Sequence, residues 1–252
     1  SIIAPTDLLA DGYAFVDRGT GAEVSTSQEA ALTNVKVVSK ETANASASLT
    51  VGGTETPYGT FEDALTAAQQ PQGGTLTLLA NCKTPNTSEK FDISGNYTLD
   101  LKGCTLTGYL YLSQTSTSLT VKDSGTNGKI QATGSWPALW ADGGKVTIES
   151  GTLATETEKG KALVFGYKAA CGTLTINGGV FETGYVQIGD TGGTTVITGG
   201  AFHDLRVNGD YSKRVTLSGG TFDTVKRYNG SIIAPTDLLA DGYAFVDRNT
   251  DA

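Results

Sequence analysis

The side chains able to do chemistry are few and scattered. His203 is the sole histidine of the sequence. It directly follows Phe202, an expected inward position, and reads as an exposed turn residue rather than a general base. Asp123, Asp142, Asp190, Asp204, Asp210 and Asp223 sit mostly at expected turns, where Asp is favoured for local reasons. A glycosidase needs two carboxylates at a set separation on one face, and no such pair can be composed. Neither a Ser-His-Asp arrangement nor a metal-ligand spacing occurs. The expectation is a protein that is not an enzyme, with no catalytic residue, no metal site and no cofactor. Cys82, Cys104 and Cys171 form no C-x-x-C pair. They read as small buried core residues; a bridge between Cys82 and Cys104 would leave Cys171 over.

Aromatic residues make a better constellation. Tyr109, Tyr111, Trp136, Trp140, Tyr185, Gln187 and Arg206 are the candidate partner-binding residues. Tyr, Trp and Arg are the types that carry most binding energy at interfaces. They are far apart along the chain, so an element must bring them together. Short alternating segments supply it: Tyr109–Ser113, Ala138–Asp142, Ala162–Gly166, Tyr185–Gly189, Asp204–Asn208 and Thr224–Tyr228. Alternation puts Leu110, Leu139, Leu163, Val186 and Leu205 inward and Tyr111, Trp140, Val164, Gln187 and Arg206 outward. A flanking outward row reads Tyr109, Ala138, Ala162, Tyr185, Asp204. The expected strip is aromatic at one end and charged at the other.

Those segments recur because a phrase recurs. Val146-Thr-Ile-Glu-Ser-Gly-Thr-Leu153 returns as Leu174-Thr-Ile-Asn-Gly-Gly-Val-Phe181, Thr195-Val-Ile-Thr-Gly-Gly-Ala-Phe202 and Val215-Thr-Leu-Ser-Gly-Gly-Thr-Phe222. Looser copies begin at Leu99 and Leu119, and an earlier unit lies at Leu76–Ala80. The steps between starts from residue 99 onward are 20, 27, 28, 21 and 20 residues. Repeats of that length signal a solenoid. Each unit holds a strand, a Gly turn, a large inward residue (Leu106, Leu153, Phe181, Phe202, Phe222) and a second strand, without room for a helix. The 27- and 28-residue units carry extra loops, Ala132–Pro137 and Thr155–Gly160. An antiparallel β-sandwich shares the short strands and Gly turns, but does not require the same phrase to return on this beat.

Residues 1–20 and 231–250 are identical except at Gly19 and Asn249. This offset of 230 residues implies tandem duplication of a whole unit. Residues 1–20 are then the cap remnant of a preceding copy. Residues 21–48 are linker (chiefly 19–33) and a first strand at Val35–Val38. Residues 49–250 are the repeat itself: a strand at Leu49–Val51, a helix over 61–70, coils over 76–230 and a C-terminal cap over 231–250. Within the duplicated piece, Thr6 or Asp7 would cap a helical turn at Leu8–Ala10, before a small strand at Tyr13–Val16. In the helix, Thr60 and Asp63 suggest a capping box. Phe61, Ala64, Leu65 and Ala68 share one face, suited to lying over the first coil.

Bulk properties narrow the class. The net charge is −8 and charged residues make up 17% of the chain. No concentrated basic run exists, which argues against a nucleic-acid surface or docking on anionic lipid. No apolar run approaches the length of a membrane span.

The segments Tyr58-Gly-Thr-Phe-Glu-Asp-Ala-Leu, Gly74-Thr-Leu-Thr-Leu-Leu-Ala, Tyr97-Thr-Leu-Asp-Leu-Lys-Gly-Cys-Thr-Leu-Thr-Gly and Asp237-Leu-Leu-Ala-Asp-Gly-Tyr-Ala-Phe, with the Gly-Gly-x-Phe coils between, carry a resemblance. They resemble the right-handed, pectin-lyase-like β-helix repeats of large surface proteins from Gram-positive gut commensals. The resemblance covers residues 50–250. It implies an all-β fold, a single-stranded right-handed parallel β-helix with an N-terminal capping helix and a C-terminal cap, and an extracellular place on the bacterial surface or in secretion. Some tandem proteins similar in layout are B-cell superantigens binding immunoglobulin variable regions. The expected function is therefore a non-catalytic, monomeric binding repeat in a tandem array, an adhesin-like module whose partner is a host protein, immunoglobulin first. The alternatives are a carbohydrate-binding or polysaccharide-lyase-like module and a passive stalk.

Overall fold

A computed structural model of the chain describes residues 9–18, 23–24, 34–70, 73–84, 90–168, 172–208, 214–234 and 237–247. It is a parallel β-solenoid of about six turns. The sandwich alternative fails because successive rungs run in the same direction. Three inward rows hold the coils together. On the first face Leu76, Leu99, Val121, Ile148, Ile176, Ile197 and Leu217 are consecutive register partners. The second face stacks Leu106, Ile130, Leu153, Phe181, Phe202 and Phe222. Its phenyl rings lie nearly parallel, with centroids 4.6 and 4.8 Å apart. Phe91, Leu110, Leu139, Leu163, Val186, Leu205 and Val225 make the third. Burying such a side chain is worth about 1.5–3 kcal/mol, and none could be buried by one coil alone.

In the early coils the second and third faces are separate strands, as in Thr105–Thr107 and Tyr109–Leu112. In the late coils they fuse into single bent strands, Val180–Ile188, Ala201–Val207 and Thr221–Arg227. The register shifts between Phe181 and Tyr185 at this corner.

Turn residues knit coil to coil. Asp123 accepts from the amides of Gly103, Gly125 and Gly128 at 2.7, 3.1 and 2.7 Å. Asp100 accepts from Lys102 and Ser124 at 3.1 and 2.9 Å and lies 3.3 Å from the Lys122 ammonium. Burial alone would raise the Asp100 carboxyl; the hydrogen bonds from Ser124, Lys102 and Lys122 outweigh it and hold it below the ordinary range. Asp142 accepts from Tyr167 and Lys168 of the next coil. Asp204 lies in a strand, as its place in the expected Asp204–Asn208 segment implies, and Asp223 lies in a strand rather than a turn. Asp210 is outside the described residues.

Both ends of the stack are covered. Helix Phe61–Ala68 buries Phe61, Ala64, Leu65 and Ala68, as its periodicity predicts, and the Thr60 hydroxyl oxygen accepts from the Asp63 amide at 3.1 Å. Phe61 meets Phe91 edge-on at 4.9 Å. An antiparallel hairpin, Ala47–Val51 with Thr54–Tyr58, closes the first sheet's N-terminal edge by pairing with Thr75–Leu78. Sequence reading anticipated a strand at Leu49–Val51 but not its partner. At the other end Leu239 bridges to Leu217, while Ile233 and Leu238 join the core.

The duplicated piece behaves differently at its two ends. The strands expected at Val35–Val38 and Tyr13–Val16 are present as Val35–Ser39 and Tyr13–Asp17 and pair antiparallel. The same sequence at Tyr243–Asp247 forms no strand. The helical turn capped by Thr6 or Asp7 lies outside the described residues. Cys82 and Cys104 are free and half-buried rather than fully buried; Cys171 also lies outside the described residues.

Each Gly-Gly pair has two separate causes. Gly179, Gly200 and Gly220 hold φ of +89°, +99° and +101°, which only Gly adopts readily. Gly199, just before, has no such φ, but a Cβ there would stand 2.2 Å from the Asn177 carbonyl oxygen of the preceding coil. Gly199→Ala is therefore expected to cost about 2 kcal/mol and lower Tm by about 4–8 °C. Gly59→Ala, where nothing lies within 4 Å, should change stability by less than about 0.5 kcal/mol. Thermal melts of the two variants check this.

Candidate partner-binding face

The third face carries an outward row in strict register. Asp92, Tyr111, Trp140, Val164, Gln187, Arg206 and Lys226 are consecutive partners. The five central members are those read from alternation; the ladder adds Asp92 and Lys226. The added members put a charge at both ends, with the aromatics second and third from the Asp92 end. The flanking row is corrected. A bulge between Lys161 and Leu163 makes Lys161, not Ala162, the partner of Tyr185. Ala138 and Ala162 belong to the core.

Outward is not the same as open. Tyr109, Tyr185 and Gln187 are 5%, 5% and 1% exposed, although their strands turn them away from the main core. The Ala132–Pro137 loop folds Trp136 flat over Tyr109, centroids 5.0 Å apart and planes within 15°. Tyr185 is covered by the Arg206 guanidinium, 3.9 Å from its ring centre, and by Tyr228 at 6.2 Å. Arg206 in turn bonds Asp204 through Nε and Nη2, at 2.8 and 2.7 Å, and Lys226 reaches the same Oδ2 at 3.0 Å. Four of the seven candidate residues remain accessible: Trp136, 42% exposed, with Tyr111, Trp140 and Arg206 half-buried.

The accessible aromatics form one cluster. Trp140 sits edge-on to Tyr111 at 5.8 Å, tilted to Trp136 at 6.2 Å and near Tyr167 at 6.4 Å. Ammonium groups flank it. Lys168 Nζ is 4.9 Å from the Trp140 ring centre, and Lys90 Nζ is 5.4 Å from that of Tyr111. Such cation–ring contacts hold both partners in place. Between Trp136, Trp140, Lys161, Tyr167, Gln187 and Tyr228 lies a cavity of about 270 Å³. Two of its walls carry donors with no hydrogen-bond partner, the Trp140 indole Nε1 and the Gln187 amide Nε2. Both atoms are sealed within the wall rather than open to the cavity, and a buried N–H without an acceptor costs stability.

Tyr167, Lys168, Lys161 and Tyr228 were not foreseen. The Gly166-Tyr-Lys turn could have revealed the first two, because it directly follows a strand whose outward row was already assigned. Tyr228 was seen only as the end of the weakest strand.

A second groove, of about 320 Å³, runs along the fused corner past Glu158, Glu182, His203 and Asp223. His203 lies within a strand rather than a turn, and its Nδ1 is 3.2 Å from Asp223 Oδ2. Both side chains are about half exposed. Among the described residues no group of three His, Cys, Asp or Glu could hold a metal ion, and no helix is long and apolar enough to cross a membrane.

Covering has a titration consequence. The Tyr185 phenol is pushed up to about 12 by burial and by its hydrogen bond with Tyr228. The Cys82 thiol is pushed up to about 11, chiefly by burial and secondarily by Cys104 and Glu62. Each folded value lies above the ordinary one, so the proton is held more tightly in the folded state. The contribution is complete below the ordinary values of 10.0 and 9.0 and drains away as pH rises through about 11–12. Tm is expected to fall steadily above about pH 9. Tyr185→Phe should flatten the decline between about pH 10 and 12; melts at fixed ionic strength measure it.

Comparison with protein-family models, with curated proteins and with solved structures found no match. What this face does is therefore argued from its own chemistry.

Proposed function

We propose that the chain is a non-catalytic binding repeat of a bacterial cell-surface or secreted protein, taking a host protein on the third face. The observation that carries the reading is the half-open cluster of Tyr111, Trp136, Trp140 and Tyr167, with a cavity lined by the last three. Large rigid aromatics anchor interfaces at small entropic cost. The cavity is small, near one bulky side chain in size, with Lys161 and Gln187 at its polar wall. Tyr109, Tyr185 and Gln187 serve as the platform beneath rather than as contacts. The seven-rung ladder gives the face the length of one side of a standard interface, roughly 800 Å².

The likeness in layout to pectin-lyase-like β-helix repeats of gut-commensal surface proteins makes an immunoglobulin variable region the first partner to test. Carbohydrate is the second reading. It is favoured by the same pocket, since flat rings beside the Lys161 side chain also suit a sugar ring. A passive stalk predicts no ligand.

The test is binding of immunoglobulin Fab fragments to the immobilised chain, with a glycan array run in parallel. Trp136→Ala and the Tyr111→Ala/Trp140→Ala pair are each expected to weaken Fab binding at least about tenfold. Trp136→Ala should leave Tm within a few degrees. Absence of Fab binding with a positive glycan array would transfer the face to carbohydrate. Fab binding unaffected by these variants would remove the face from the reading.

A further inference from the structure

The duplicated sequence occurs in two environments within one chain. Near the N-terminus Tyr13–Asp17 is the middle strand of a small sheet. It pairs with Val35–Ser39 on one side and is bridged through Val16 to Glu23 on the other, where the Val24 amide donates to the Phe15 carbonyl. Ala14, Phe15 and Val16 are then 2%, 8% and 2% exposed. Near the C-terminus the identical Tyr243–Asp247 is not a strand, and Phe245 and Val246 are 42% and 73% exposed. A sequence that buries three consecutive residues in one place leaves them in water in the other.

The turn before both segments is the same. The amide of Tyr13 donates to the Ala10 carbonyl at 3.1 Å, and that of Tyr243 donates to Ala240 at 3.1 Å. Gly12 and Gly242 share a φ of +84°. What differs is the surroundings: Tyr13–Asp17 has strand neighbours, whereas Phe245 meets the Phe222 ring of the last coil edge-on at 6.1 Å. Upstream of this turn the C-terminal copy is anchored on its own solenoid. Leu217 donates to the Leu238 carbonyl, Ala240 donates to Leu217, and Ile233 and Leu238 are buried in the core.

We infer that each tail staples two repeats. Residues 231–240 seal the last coil of their own solenoid, and Tyr243–Asp247 become the central strand of the next repeat's N-terminal sheet. Its neighbours there would be that repeat's copies of Glu23–Val24 and Val35–Ser39. The partner is thus a second copy of this chain's own Glu23–Val24 and Val35–Ser39. The small sheet already abuts the solenoid it precedes: Val16, Lys36 and Val38 share a cavity wall with Leu78, Lys102 and Cys104. The amide of Lys40, at the start of the helix Lys40–Ala43, donates to the Gly12 carbonyl. Only the turn at Asp241–Gly242 would separate one solenoid's cap from the next one's. Consecutive repeats would be joined by folded structure, and the supposed linker would be part of it.

Amide hydrogen exchange tests the staple, because the two segments have the same sequence and hence matched intrinsic rates. In the present chain the amides of residues 14–16 should exchange at least about tenfold more slowly than those of 244–246. In a longer chain, with residues 19–252 joined directly after Arg248, the amides of 244–246 should slow to match residues 14–16. Phe245→Asp in that longer chain should return them to fast exchange. A shorter extension by residues 19–46 alone reads the same amides if the longer chain does not fold. Equal protection of the two segments in the present chain, or fast exchange at 244–246 in the extended chains, would overturn the inference.

Discussion

Everything in this molecule depends on the stacking of one coil on the next. In a parallel ladder each strand's N–H and C=O groups are satisfied by the coils above and below, and side chains at equivalent positions lie in contact. The row from Leu76 to Leu217 exists only because no coil slips against its neighbour. A slip of one residue would carry the apolar set to the outside. The glycine pairs, the Asp123 and Asp142 bridges and the phenyl stack are separate means of fixing that register. The glycine pairs do so by close approach, the carboxylates by gathering amides from adjacent coils, and the rings by their shape.

The same constraint creates the rims. A stack of parallel strands ends in two rows of unpaired backbone, which would recruit other chains. This chain covers its N-terminal rim with a hairpin and an amphipathic helix. It covers the other with a tail that continues the first sheet's pairing through Leu239. Covering the rim requires apolar side chains, and Ile233 and Leu238 supply them. Phe245 meets the last ring of the phenyl stack, Phe222, edge-on at 6.1 Å, yet stays 42% exposed, and Val246 is 73% exposed.

Sequence disclosed what repetition and periodicity encode. The recurring phrase identified the solenoid, the helix face was read to the residue, and the row from Tyr111 to Arg206 is in register as alternation required. Alternation says which side of a strand a residue takes, not what lies over it. Tyr109 and Tyr185 were therefore placed correctly on their strands and wrongly in open solvent: Trp136 and Arg206, remote in sequence, cover them. Ala162 was misplaced because a bulge shifts register by one, which a pattern of period two cannot signal. The Thr54–Tyr58 strand escaped notice because its sequence, Thr-Glu-Thr-Pro-Tyr, lacks an apolar face; it is an edge strand and buries little. The duplicated tail shows the limit most plainly, since identical residues form a strand at one end and none at the other.

The binding cluster arises where the repeat is broken. The 27- and 28-residue coils hold their strands in register with the 20-residue coils, so their extra residues must leave the stack at a corner. They do so between the second and third faces, at residues 132–137 and 155–160, and the two loops meet where the Gly134 amide donates to Glu156. The first lays Trp136 across Tyr109 and beside Trp140; the later coils without an insertion run the corner as one bent strand and present no such residue. A ladder of identical rungs offers a flat and chemically monotonous face. Insertion at a corner adds relief to it without breaking an inward contact, so the coils can diverge on their surface while the rows that hold them together stay the same.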